Sequence, residues 1–198
     1  MAKRIEIDSP ANPVAANRRI LIVDDNPSIH EDFRKILGPV PDRNEALEQA
    51  ETNLFGRENV SAADAKYELS FASNGEAAID KVAEAENSGN EFALAFVDVR
   101  MAPGIDGVET TVKLMELSQD LQIVICTAYS DYSWSDMQEK IGESDRVLIL
   151  KKPFDNIEVL QCASTLTEKW RLQKESSQRI EGLTNFIRKQ GDSEATVT

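Results

Sequence analysis

The sequence predicts a doubly wound α/β domain, built on a five-stranded parallel sheet and followed by an extended C-terminal helix. Short apolar strand-like runs alternate with helix-like segments along the chain, at 20–23, 67–71, 92–97, 123–126 and 147–150. Most of these runs are apolar throughout, as is typical of parallel strands that helices cover on both faces. With 198 residues the chain has room for one such domain and a smaller appendage.

A helix is expected in each crossover between consecutive strands. Asn26 can cap the first helix, and Pro27 suits its first position. Asn74 can cap the second in the same way, the third is striped by Val108 and Met115, and the fourth is expected over 132–141.

The crossover after the first helix is too long for a simple connection. Residues 38–66 form an insertion, and Leu47, Ala50 and Leu54 within it have the spacing of a short extra helix. The insertion is interpreted either as a tolerated surface elaboration or as a surface for a partner.

The C-terminal part of the chain predicts one long helix. Residues 157–190 contain no proline and a single glycine, Gly182, which allows a helix of roughly 50 Å. We expect a flexible tail over 1–18, the domain over 19–168, and a projecting helix with a frayed end over 169–198. Alternating four-three spacing predicts a coiled-coil seam along Val159, Ala163, Leu166, Trp170, Gln173, Ser177, Ile180, Thr184 and Ile187.

The net charge of the chain argues against partners that are themselves negatively charged. The formal net charge is -13, which disfavours direct binding to nucleic acid or to an anionic membrane and favours metal ions and basic partners. No run of about 18 apolar residues occurs, and the N-terminus lacks a signal-peptide pattern. A cytoplasmic location is therefore expected.

Polar residues follow the predicted strands at the points where ligands bind in open α/β sheets. Asp24 and Asp25 follow the first strand, Asp98 the third, Thr127 the fourth and Lys152 the fifth. Clustered carboxylates repel one another unless a cation is present, and a cluster of hard oxygen ligands suits Mg²⁺. A carboxylate beside that metal is a plausible nucleophile toward phosphorus, with Thr127 and Lys152 as donors to the phosphoryl oxygens.

Four motifs at these positions, IVDDNPSI, FVDVRMAPGIDG, CTA and KKPF, resemble the receiver domain of two-component response regulators. The resemblance covers roughly residues 19–168 and implies a flavodoxin-like sheet of order 2-1-3-4-5. It also implies that Asp98 is the phosphoacceptor, that the peptide before Pro153 is cis, and that Thr127 and Lys152 complete the site. The metal ligands that it implies are Asp25, Asp98, the backbone carbonyl of Arg100, and Asp24 mainly through water.

The sequence departs from the usual pattern of this family at three places. The loop MAPGIDG is one residue longer than the common form, and Ile149 stands where the family usually has a switch aromatic residue. Arg100 and Tyr129 are large residues on the path by which water would reach the phosphorus, so we expect a long-lived phosphorylated form.

The resemblance predicts a signalling protein, and not an enzyme with turnover. A histidine kinase or phosphotransfer protein would phosphorylate Asp98, and the C-terminal helix would respond by forming a homodimer or by docking to a partner. Two alternatives remain: a phosphate sink or phosphorelay intermediate, and a phosphatase of the haloacid dehalogenase type. The phosphatase would need a second acid two residues after the nucleophile, where this chain has Arg100.

Overall fold

The computed structural model describes residues 14–38, 67–128 and 134–194. Within them, five parallel strands form one sheet in the order β2-β1-β3-β4-β5, which confirms the predicted fold class and strand order. The strands are β1 (Arg19–Val23), β2 (Glu68–Ala72), β3 (Leu94–Asp98), β4 (Gln122–Thr127) and β5 (Val147–Lys151).

Helices cover both faces of this sheet. Asn26 caps the first helix by accepting a hydrogen bond from the Ser28 N–H, and Asn74 caps the second by accepting one from the Ala77 N–H, as the sequence predicts. The helices are α1 (Pro27–Leu37), α2 (Gly75–Ser88), α3 (Gly107–Leu117), α4 (Trp134–Ile141) and α5 (Asn156–Glu194).

The core consists of two apolar layers, one on each face of the sheet. Leu21 and Val23 point to the layer shared with α2, α3 and α4, whereas Ile20 and Ile22 point to the layer shared with α1 and α5. This alternation is the period of two that a strand imposes on its side chains. All four side chains are at most 1% exposed, which explains why β1 reads as a continuous apolar run.

Helix α5 packs on the sheet through its first half and leaves it in the second. Val159, Ala163, Leu166 and Trp170 are buried, whereas residues 176–184 are exposed. The helix has 39 residues, or about 58 Å of length at the α-helical rise. The first four residues of the predicted seam therefore pack against the sheet of the same chain and are not available to a second helix.

Polar contacts fix α5 where it passes the amino edge of the sheet. The Lys174 ammonium lies 2.8 Å from carboxylate oxygens of both Glu91 and Asp120, which precede β3 and β4. The side chain of Gln122 donates a hydrogen bond of 2.7 Å to that of Gln173. These contacts mark the point beyond which the helix is exposed.

Several expected boundaries shift or lie outside the described residues. Strand β3 begins at Leu94 and not at Phe92, β2 ends at Ala72, and α5 continues to Glu194. The short helix expected within 44–55, most of the insertion, residues 1–13 and Tyr129 lie outside the described ranges. Among the described helices, none has the length and apolar character needed to cross a membrane.

Candidate functional site

The carboxyl edge of the sheet brings the predicted site residues together. Parallel pairing aligns Val23 with Val97 and Asp98 with Cys126, so that the residues after β1 lie beside the end of β3. Thr127 pairs with Lys151, which places Lys152 one residue beyond the end of β4. Residues separated by more than 100 positions in sequence thus meet because each strand ends at the same edge.

Lys152 bridges two of the three carboxylates. Its ammonium donates a hydrogen bond of 2.9 Å to Asp24 Oδ2 and one of 2.7 Å to Asp98 Oδ1. Both acids are buried, with Asp24 4% and Asp98 8% exposed. Buried carboxylates need a compensating positive charge, and Lys152 supplies it.

The remaining oxygen of each buried carboxylate accepts a hydrogen bond from the backbone. The Asn26 N–H donates to Asp24 Oδ1 at 2.9 Å, and the Arg100 N–H donates to Asp98 Oδ2 at 3.0 Å. Both side chains are therefore held from two sides, which fixes their orientation. Sequence reasoning did not foresee these two backbone donors.

Burial and hydrogen bonding act in opposite directions on the pKa values of Asp98 and Lys152. Burial raises the pKa of Asp98, the nearby Asp24 raises it further, and hydrogen bonding to Lys152 partly offsets both effects. Burial by itself would lower the pKa of Lys152, but its hydrogen bonds to Asp98 and Asp24 outweigh burial and raise the pKa. Lys152 is therefore an ammonium at neutral pH.

The three acids can hold a divalent cation. Asp24, Asp25 and Asp98 each offer a carboxylate oxygen, and these oxygens lie within 4.8 Å of one another. Asp25 is exposed, so that a metal there would keep an open side toward solvent. An all-oxygen ligand set with room for water and phosphate oxygens is the type that Mg²⁺ prefers.

The other predicted site residues lie around this cluster. Thr127 is buried, and its hydroxyl donates a hydrogen bond of 3.0 Å to the Ala128 carbonyl. Arg100 is exposed, and Ile149 is half-buried beside Met137 and Ile141 at a groove between α4 and β5. The peptide between Lys152 and Pro153 is cis, as expected, and so is the one between Ala102 and Pro103 in the longer loop.

Gly107 is a site residue whose role the sequence alone did not reveal. A Cβ atom at this position would lie 1.9 Å from the backbone oxygen of Asp98, so the first turn of α3 lies directly against the peptide of Asp98. The backbone contact is completed by a hydrogen bond of 3.0 Å from the Gly107 N–H to the Val99 carbonyl. The pair Asp106-Gly107 in the quoted motif was the available signal.

The chain matches a known protein family. The response regulator receiver domain matches residues 48–164, which is more than half of the chain. The chain belongs to the response regulator receiver family. The match begins after β1, so Asp24 and Asp25 lie outside it, and it is the sheet that places them beside Asp98.

Solved structures show the same fold at low sequence identity. An adenylate cyclase from Rhodopirellula baltica is 18% identical with a TM-score of 0.59, over 83% of this chain and 98% of that one. The signal receiver domain of an HD domain-containing protein from Pseudomonas fluorescens Pf-5 is 19% identical with a TM-score of 0.58, over 83% and 97%.

A receiver domain protein from Methanospirillum hungatei JF-1 is 22% identical with a TM-score of 0.53, over 79% of this chain and 98% of that one. At these identities the likeness concerns the fold alone. No curated protein sequence matches the chain.

Proposed function

We propose that Asp98 of this receiver domain accepts a phosphoryl group from a histidine kinase or phosphotransfer protein in a reaction that requires Mg²⁺. The observation that carries the proposal is the convergence of Asp24, Asp25 and Asp98 around one point, with the Lys152 ammonium on two of them. A nucleophilic carboxylate, a set of metal ligands and a cation for the phosphoryl oxygens are the groups that this transfer needs.

In the proposed step, a carboxylate oxygen of Asp98 attacks the phosphorus of a phosphohistidine. The bond between phosphorus and nitrogen breaks, the electron pair returns to the imidazole, and the product is an aspartyl phosphate. Bound Mg²⁺ would neutralise charge on the phosphoryl oxygens. Asp25 and Asp98 would hold the metal directly and Asp24 mainly through water, and the Arg100 backbone carbonyl is the remaining proposed ligand.

Lys152 and Thr127 would respond to the new group. The Lys152 ammonium already lies 2.7 Å from Asp98 Oδ1, so it can donate to a phosphoryl oxygen bonded to that carboxylate. The Thr127 hydroxyl would turn from the Ala128 carbonyl to a phosphoryl oxygen. Because Ile149 replaces the usual aromatic residue, we propose that the change passes through Lys152 to Phe154, whose ring lies 5.9 Å from that of Phe33.

Helix α5 is the proposed output element. Leu172, Ile180 and Leu183 are 51%, 63% and 62% exposed, and Ile180 and Leu183 lie in the part of the helix that has left the sheet. We propose that this exposed part of α5, rather than the full predicted seam, associates with a second copy of the chain. The domain limits 19–168 and 169–198 and a cytoplasmic location belong to the same proposal.

The two alternatives predict different fates for the phosphoryl group. A phosphorelay intermediate or sink shares every site residue and would pass the group on, or lose it, without a change in α5. A phosphatase of the haloacid dehalogenase type would require a general acid at the position of Arg100, and this position carries a cation. The absence of an acid there favours a signalling domain.

The test is intact-mass measurement after incubation with acetyl phosphate and Mg²⁺, with light scattering of the same samples. We expect one added phosphoryl group on the native protein and none on Asp98→Asn or with the metal chelated. A change in molar mass that is lost in an Ile180→Ser, Leu183→Ser variant would assign α5 to self-association. Uptake by Asp98→Asn equal to native uptake would refute the proposed phosphoacceptor.

The lifetime of the phosphorylated form tests the proposed role of the two large residues Arg100 and Tyr129. We expect an Arg100→Ala, Tyr129→Ala double variant to lose its phosphoryl group faster than the native protein. Equal hydrolysis rates would remove the steric explanation and leave the acceptor chemistry untouched.

A further inference from the structure

The loop that follows Asp98 is anchored firmly at both ends. At its start the Arg100 N–H donates to Asp98 Oδ2, and the Met101 side chain is buried. At its end Asp106 caps α3 by accepting a hydrogen bond of 2.8 Å from the Glu109 N–H. The middle of the loop, 102–105, includes Gly104 with a φ of 122°, a conformation that few residues other than glycine adopt.

The middle of this loop rests on the first turn of α2. The Ile105 N–H donates a hydrogen bond of 3.2 Å to Glu76 Oε1. A Cβ atom on Gly104 would lie 2.6 Å from Glu76 Oε2, and one on Gly75 would lie 2.6 Å from Ile105 Cγ1. Residues 104 and 105 thus pack directly against the carboxylate of Glu76 and against Gly75, which has no side chain.

We infer that Glu76 is a positioning residue for the metal site. Its carboxylate holds the lengthened loop against α2 and thereby sets the direction of the Arg100 backbone carbonyl, five residues before the hydrogen-bonded Ile105. The inference rests on the proposed function, in which that carbonyl is a metal ligand. Glu76 does not touch the phosphoryl group or the metal in this scheme and acts through the loop backbone.

The physical argument concerns how a backbone ligand is oriented. A side-chain ligand can adjust its rotamer, whereas a carbonyl ligand points where the loop backbone directs it. The left-handed backbone of Gly104 increases the number of conformations that this loop could adopt. A hydrogen bond from Glu76 to Ile105 reduces that number before the metal arrives, so less ordering is left for the metal to impose.

The test compares Mg²⁺ affinity, measured by NMR titration, in the native protein, Glu76→Ala and Glu76→Gln. Removing a group that hydrogen-bonds to a metal ligand lowers metal affinity by about 10–100-fold, and we expect the lower end of this range for Glu76→Ala because Glu76 acts through the loop backbone. Glu76→Gln keeps an oxygen acceptor for the Ile105 N–H, so its affinity should stay close to native.

A matched control separates positioning from charge. Asp80→Asn removes an exposed negative charge one helical turn further along α2 and should leave Mg²⁺ affinity unchanged. Hydrogen exchange of the Ile105 amide in metal-free protein should accelerate in Glu76→Ala and stay slow in Glu76→Gln.

The outcomes distinguish failure of this inference from failure of the proposed function. Equal losses of Mg²⁺ affinity in Glu76→Gln and Glu76→Ala would show an effect of charge and overturn the positioning role. Native Mg²⁺ affinity together with native hydrogen exchange of the Ile105 amide in Glu76→Ala would overturn it as well. Absence of Mg²⁺ binding to the native protein would instead overturn the proposed function.

Discussion

Removing Lys152 gives the sharpest test of the charge balance in the site. In metal-free protein, Lys152→Ala leaves the buried carboxylates of Asp24 and Asp98 without the ammonium that lies 2.9 and 2.7 Å from them. Breaking a buried ion pair costs about 3–5 kcal/mol. The Lys152 side chain is 24% exposed. Because water reaches this site, we expect a loss of about 2–3 kcal/mol in the free energy of unfolding.

The assay is urea unfolding with chelator present, followed by circular dichroism, with Lys151→Ala as the control. Lys151 is the exposed neighbour at the end of β5, and its loss should change the free energy of unfolding by less than about 0.5 kcal/mol. If Lys152→Ala lowers the free energy of unfolding no more than this control does, the buried carboxylates of Asp24 and Asp98 do not need the Lys152 ammonium.

The pH dependence supplies a second check on the same variant. Burial already raises the pKa of Asp98, and the hydrogen bond to Lys152 is the main opposing influence, so its removal raises the pKa further. A carboxyl group with a raised pKa in the folded state binds its proton more tightly there than in the unfolded chain. Stability then falls as pH rises through the window between the two pKa values. The Lys152→Ala deficit should therefore shrink as the pH is lowered toward 4, and a deficit that grows on acidification would refute the reasoning.

Three further predictions concern α5 and the glycines. Lys174→Met should lower the free energy of unfolding by about 1–2 kcal/mol, measured with urea, because Glu91 and Asp120 lose the half-buried ammonium that pairs with both. Hydrogen bonds to Asp120 and Glu91 raise the pKa of Lys174 against the effect of burial, so this contribution should be complete below pH 10 and disappear as pH rises through the raised pKa. Gly107→Ala should cost about 3 kcal/mol or more, measured in the same way, since its Cβ would overlap the Asp98 carbonyl. A Cβ atom on Gly182 would meet no other atom, and this part of the helix is exposed. Gly182→Ala should therefore stabilise the helix locally by about 0.8–1 kcal/mol, and circular dichroism should show a higher helical content.

The strands and helices were predictable because their sequence signals are local. Strands covered on both faces must be apolar throughout, and β1 and β4 are both buried along almost their whole length. Helix caps also depend on neighbouring residues alone, as Asn26 and Asn74 show. The boundaries of β3 and α5 were wrong by two to four residues because propensity changes little there, and packing and backbone pairing decide where an element ends.

The residues of the candidate site were equally accessible to sequence reasoning. Parallel strands end at one edge, so the residues after them must converge whatever the length of the crossovers. This explains why Asp24 and Asp25 are found beside Asp98 even though the insertion separates β1 from the part of the chain that matches the family. How Lys152 divides its hydrogen bonds, and which backbone groups hold the acids, depends on distances that no sequence pattern encodes.

The sequence by itself determined the order of the elements, the identity of the converging acids and the presence of a long helix. Tertiary structure alone decided how much of that helix is free. The predicted seam runs along the whole helix, and the sheet buries its first part, from Val159 to Trp170, whereas Ile180 lies beyond the sheet and is exposed. It also decided that Glu76, which reads as an ordinary residue of a helix start, supports the loop beside Asp98. Both outcomes depend on contacts between segments distant in the chain, whereas sequence patterns report only on neighbours.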